Sequence, residues 1–540
     1  MEWRAAFHSD RHLEHRSGTR PEQPVRSPQA KGKSGQGRTV FSAHFGPSHT
    51  APDSQFVLSC GVGTTTLICL CRSQIDIRSS YLRADDVGRF LVRLSSPSAF
   101  VRRVAADNTV IMMIRSLSTA LACVSAVTAT ILENGRPRVT SFTDVKVDLA
   151  LGDFKTYDAD ADEISYKGRW DSKHISWWAA PGIKFGFTGH AVAVTFGNQT
   201  INSTLVAYRI AGLDWMHTNV TAGGTHQFVS PETPGIELAG PVSPVTFEMR
   251  VTNWAYGVQI DKVHVASGEQ LVKIPDYPRR VEFIGDSLSA GMYNTYEALA
   301  GFAYGVGAGL GDTEYSITAY PGICVADQDC WGNPRGQSHQ WFYTSDTGGR
   351  AAEVWGDESQ PWDFSKNPSA DLAVINLGTN DANAANNVTK ATYVEHYKRL
   401  IQGIHGKWPE AQVIVMQMWQ GFFQDGNTYG QNTDLRDEVY SVYEYFNSEE
   451  YLSNPTTWDA VTNTTEQTGK PATPFVHFFN TTGILQHNDI APQWHPTDVG
   501  QIKVASHLIQ YITLKLGWPL YATGPEVYHE TLYWNDQSSY

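Results

Sequence analysis

Cysteine is scarce: six among 540 residues, four of them (Cys60, Cys69, Cys71 and Cys123) before position 124. The two that remain, Cys324 and Cys330, exclude a fold built on a disulfide framework and leave a single candidate pair. No Cys or His cluster has zinc-site spacing, so no metal is expected. Basic charge is in deficit, with a formal net charge of −14, which argues against a nucleic-acid partner because such partners need basic patches. Apolar runs are too short for a membrane span, which needs about 20 residues. What is present is a 41% hydrophobic composition, enough for a core, in a chain long enough for two or three domains.

The charge is unevenly spread. Residues 1–111 carry 15 Lys+Arg against 9 Asp+Glu, a net +6, while the remainder carries 26 against 46, a net −20. At the join, Met112-Met113-Ile114-Arg115 opens a short basic region, an apolar stretch runs from Leu117 to Val127, and Val127-Thr128-Ala129 offers small residues for cleavage. That is the layout of a secretory signal peptide over 112–129. The expectation is that translation starts at Met112 or Met113, that residues 1–111 are a disordered gene-model extension, and that the protein is secreted. Asn198, Asn202, Asn219, Asn387, Asn463 and Asn480 head N-glycosylation sequons, all beyond the signal. In an oxidising compartment Cys324 and Cys330 are expected to bond to each other.

Residues 140–272 read as all-β. Apolar and polar residues alternate in 190–196, 203–209 and 245–251, with Gly- and Pro-rich turns between. Short strands at that spacing suggest a β-sandwich. Ile274-Pro275-Asp276-Tyr277-Pro278 reads as a stiff linker. From 276 to 520 the pattern changes to α/β. Strands are expected at 280–285, 314–319, 371–377, 411–417 and 474–479, helices at 388–406, 434–448 and 498–516. That alternation implies a doubly wound parallel sheet. Residues 521–540 read as a tail.

Three blocks carry the chemistry. The buried-strand run Val281-Glu282-Phe283-Ile284 stops at Gly285-Asp286-Ser287-Leu288. A second apolar strand ends in Gly378-Thr379-Asn380-Asp381, and Trp494-His495-Pro496-Thr497-Asp498 precedes the last helix. A serine at the carboxyl end of a buried strand, with a base in reach, is a nucleophile. The order Ser…Asn…His over about 276–516 resembles the SGNH (GDSL-type) hydrolases. With a β-sandwich in front, the chain resembles carbohydrate esterase family 2, which joins a jelly-roll domain to a flavodoxin-like SGNH domain.

The resemblance implies that Ser287 is the nucleophile and His495 its base, a residue type whose pKa near neutrality suits both halves of the cycle. It also implies an oxyanion hole made by the amides of Ser287 and Gly322 and the side chain of Asn380. Many SGNH enzymes place Asp three residues before the His. Here that residue is Pro492, with Asp489 six before and Asp498 three after. Either Asp489 or a backbone carbonyl then orients His495, the carbonyl being favoured. Trp419 and Trp494, among many loop aromatics, are candidate sugar contacts. The expected function is a secreted esterase removing acetyl or other short acyl groups from an acylated polysaccharide or oligosaccharide, with no cofactor. A short-chain esterase or lipase is the alternative, and a non-catalytic glycan-binding protein is the alternative of another class.

Overall fold

Strand alternation sets up the first half of the molecule. In the computed structural model, which describes residues 132–133, 136–137, 142–149, 153–238, 244–356, 360–419, 421–490 and 494–519, residues 154–272 form two antiparallel sheets. The expected extension 1–111, signal 112–129 and tail 521–540, and Pro492, lie outside the described residues. One sheet orders the strands 154–158, 260–266, 192–196 and 225–229. The other is built around β1, Ser176–Phe187, with strands 165–170, 245–251, 204–210 and 216–220. Phe185, Phe187, Val194, Phe196, Phe247 and Val263 meet in one core between them, with no exposed surface. Burying a side chain of that kind is worth about 1.5–3 kcal/mol.

The second half has five parallel strands: β2 Arg279–Gly285, β3 Thr313–Ala319, β4 Leu372–Asn376, β5 Gln412–Met416 and β6 Val476–Phe479. All five lie where the sequence pattern puts them, within two residues. Their order is β6-β5-β4-β2-β3, with every pairing parallel. Counted from β2, that is 2-1-3-4-5, a doubly wound order whose direction reverses between β2 and β4. The four longest helices are α1 Phe302–Gly309, α2 Lys390–Lys407, α3 Arg436–Phe446 and α4 Asp498–Leu516. In α4, Val504, Ala505, Leu508, Ile509 and Ile512 face the core. Thr497 caps its start through Gly500 N and Gly517, at φ 70°, ends it.

The sandwich and the parallel sheet are continuous. Ala179 of β1 pairs antiparallel with Ile317 of β3, so both belong to one 11-stranded sheet. Buried charge crosses the same seam. Arg169 lies 3.0 Å from Glu282 of β2, and Trp341 Nε1, Ser316 Oγ and Thr318 Oγ1 also donate to that carboxylate. Lys167 bridges Asp276 at 2.7 Å and Glu314 at 2.8 Å, which pins the proline-containing linker to the sandwich.

Candidate active site

The strand order reverses between β2 and β4, and doubly wound sheets bind ligands outside the carboxyl ends of the strands at such a point. Ser287 follows β2 by two residues and Asn380 follows β4 by four. His495 arrives from the loop before α4, and its Nε2 is 2.8 Å from Ser287 Oγ. Ser287 is 5% exposed. With Nε2 unprotonated, the hydroxyl donates to it, the geometry in which a base can take that proton. Tyr293 meets the imidazole edge to face at 4.8 Å.

Several residues fix this pair, and of these the sequence pattern points to Asp498 but not to Gln501 or Asn294. Gln501 of α4 donates to Leu288 O and Asn294 Oδ1 and accepts from Phe302 N. Asp498 accepts from Asn294 Nδ2 and Thr295 N. The helix that follows His495 is thereby tied to the segment that follows Ser287. A polar residue on an amphipathic helix gives no sequence signal for such a tie.

The candidate oxyanion donors lie on the neighbouring loops. Gly322 has φ 81°, a conformation that side chains disfavour, and a Cβ there would come within 3.0 Å of Asn333 Nδ2 and 3.1 Å of Trp331 Cβ. Asn333 Nδ2 donates to Pro321 O and Cys330 O, and the disulfide Cys324–Cys330 closes the adjoining loop. Asn380 Nδ2 donates to Ile323 O at 3.0 Å and lies 3.4 Å from Asp286 Oδ2. One amide hydrogen is thus committed and the other only weakly held. Asp286, fully buried, has its carboxyl pushed up to about 7, chiefly by desolvation and further by Asp381. Burial likewise raises Asp381 to about 6, although the amides of Val325 and Ala326 donate to it.

One expected site residue is corrected, and another has its carboxylate engaged by other groups. That second residue is Asp489. Lys503 Nζ sits 2.8 Å from both its oxygens, Gln486 N donates to Oδ2, and it is 3% exposed. Its role is to cap a short 3-10 turn and hold α4. Trp419 is not a surface contact: at 1% exposure it packs edge on against Phe302 in the core. Trp494 differs, being 62% exposed at φ 68°, next to His495. Its indole lies on Gly421, where a Cβ would fall 2.7 Å from Cδ1. Trp331, 58% exposed beside Gly322, is a second open ring. His487 stacks on Tyr429 at 4.0 Å.

Among the sequons, Asn198, Asn202, Asn387, Asn463 and Asn480 are exposed. Asn219 differs: it is 8% exposed, accepts from Phe142 N and donates to Ser203 O. Among the described residues, no three His, Cys, Asp or Glu side chains are grouped to hold a metal ion, and no helix is long and apolar enough to cross a membrane.

Comparison with known proteins adds to this geometry. Residues 283–501 match the GDSL-like Lipase/Acylhydrolase family. The chain is 24% identical over 382 residues to the cellulase/esterase CelE of Acetivibrio thermocellus, covering 68% of this chain and 41% of that protein. The chain therefore spans less than half the length of that curated relative. Two solved structures share the fold at a TM-score of 0.50. One is an active site mutant of a family two carbohydrate esterase from Clostridium thermocellum in complex with celluohexase, 21% identical, covering 66% of this chain and 99% of that one. The other is a family two carbohydrate esterase from Cellvibrio japonicus, 13% identical, covering 68% and 98%.

Proposed function

We propose that the chain, whose residues 283–501 match the GDSL-like Lipase/Acylhydrolase family, is a secreted serine esterase removing acetyl or other short acyl groups from carbohydrate. The observation that carries the reading is the 2.8 Å Ser287–His495 pair at the sheet's reversal point, beside Asn380. Ser287 Oγ attacks the ester carbonyl as its proton passes to His495 Nε2. The amides of Ser287 and Gly322 and Asn380 Nδ2 receive the oxyanion. The imidazolium then protonates the departing sugar oxygen, and water hydrolyses the acyl-enzyme by the same route. With Asp489 engaged elsewhere, a backbone carbonyl is the proposed partner of His495 Nδ1.

Carbohydrate is favoured over lipid because the open rings, Trp494 and Trp331, are single exposed indoles rather than a broad apolar groove. The family two carbohydrate esterases with this fold agree with that choice. We read the antiparallel sandwich as the jelly-roll partner of the catalytic domain. The test is an activity panel on acetylated xylan, acetylated mannan and p-nitrophenyl esters of increasing chain length. Acetate release from the polysaccharides and loss of activity beyond short acyl chains are expected. A preference for long-chain esters would point to the lipase reading.

A further inference from the structure

Resting on the proposed oxyanion hole, we infer that Asp381 is a positioning residue, whose carboxylate clamps the loop that follows Gly322 onto the loop that carries Asn380 and so sets both donors at once. Asp381 is 3% exposed, and its two oxygens are spent on consecutive backbone amides of the disulfide loop: Val325 N donates to Oδ2 at 2.9 Å and Ala326 N to Oδ1 at 3.0 Å. Immediately before it, Asn380 Nδ2 donates to Ile323 O at 3.0 Å. Residues 380 and 381 thus grip 323–326 by three hydrogen bonds, starting one residue beyond Gly322.

The carboxylate is not needed for its own turn. Ala382 N donates to Gly378 O at 2.8 Å and Asn383 N to Asn380 O at 3.2 Å, so backbone bonds alone close Gly378–Asn383. Desolvating a carboxyl group is costly, and a neutral side chain would bridge two loops more cheaply. What a carboxylate adds is two acceptors at fixed spacing, matched here to two adjacent N–H groups. The Cys324–Cys330 disulfide closes the same loop, and Asn333 bonds to Pro321 O and Cys330 O. Asp381 and the disulfide are therefore two clamps on one segment. An oxyanion hole works because its donors need no reorganisation as charge develops, so a loosened segment lowers turnover more than substrate binding.

The experiment compares wild type, Asp381→Asn, Cys324→Ser/Cys330→Ser, the combination, and Ser287→Ala, by steady-state kinetics on p-nitrophenyl acetate, with melting temperatures as a check on folding. Asp381→Asn keeps shape but replaces one acceptor by a donor. Its kcat should fall about 10²-fold, in the range of a lost oxyanion donor, with KM within about twofold. The cysteine pair replaced alone should keep at least about a tenth of kcat. The combination should lose more than the product of the two separate losses, because each clamp covers for the other. A folded Asp381→Asn protein with unchanged kcat, or one altered in KM alone, overturns the inference. If Asp381→Asn does not fold, a loss of 10² or more from the cysteine replacement alone overturns it, since the intact carboxylate should then hold the loop. Activity surviving in Ser287→Ala would instead overturn the reading of the site itself.

Discussion

The two walls of the candidate site are built on different terms. On the wall after β2, β3 and β4, Asp286 and Asp381 are buried, Gly322 is held in a conformation few residues adopt, and a disulfide closes the loop. On the histidine wall, Trp494 stands 62% exposed on Gly421, and Tyr293 meets the His495 ring edge to face. Charge development needs fixed dipoles in a dry place, whereas an acyl-carrying sugar needs a face it can reach and leave. The difference teaches that the chemistry and the recognition of this site are separable by substitution.

The severest break of that division is Ser287→Ala. It should abolish ester hydrolysis, by about 10⁴-fold or more, with an unchanged melting temperature, since little volume is removed. Substantial turnover by the folded variant would refute the assignment. Next, Asn380→Ala should lower kcat by about 10²–10³ while KM stays put. An effect confined to KM would move Asn380 from the fixed wall to the recognition wall.

Trp494→Ala tests the other wall. It should raise KM for acetylated polysaccharide about tenfold, as loss of a stacked ring does, and leave p-nitrophenyl acetate hydrolysis within about twofold. Equal losses on both substrates would show that Trp494 acts through His495 and not on the sugar.

Stability distinguishes the walls as well. The carboxyl of Asp286 is raised to about 7, so the folded state binds its proton more tightly than the unfolded chain. Its contribution is therefore fully present below the unfolded pKa near 4 and is lost as pH rises through 7, on the order of a few kcal/mol. The stability that wild type has over Asp286→Asn should therefore shrink as pH rises from about 4 to about 7, read as the difference in melting temperature between the two proteins. Parallel slopes in the two proteins would rule the effect out. The smallest change is expected of Asp489→Asn, whose partners are Lys503 and Gln486. Turnover should change less than about threefold; a loss near the 10⁴ of a broken triad would restore Asp489 to the mechanism.

How much of this was legible follows from what a sequence can encode locally. The run Val281–Gly285 and its successor Ser287 announce a strand delivering a side chain, because apolar continuity and a turn glycine are both local signals. The same holds for β4 and Asn380, and for the apolar periodicity of α4. Burial of polar groups is different. Nothing local to Asp286 or Asp381 announces their burial, and only the tertiary fold desolvates them. Trp419 and Trp494 have equal claims by composition, and packing alone sends one to the core and the other to solvent. Asn219 satisfies a sequon but lies in a strand whose neighbour, Ser203, takes its side chain. Helix α1, Phe-Ala-Tyr-Gly-Val-Gly-Ala-Gly, went unread because three glycines erase the helical signal.

The pairing of Ala179 with Ile317 has a bearing on how the molecule can be cut. A fragment beginning after the linker would bare the outer edge of β3 and leave Glu282 without Arg169 beside it. An open hydrophobic strand edge is a template for self-association, and a stranded buried carboxylate weakens the fold that displays it. The sandwich thus serves its neighbour as a selvedge, finishing a sheet that would otherwise fray into its own copies. Shuffling the catalytic half onto another partner would require a new border for β3, however well the reacting groups were preserved.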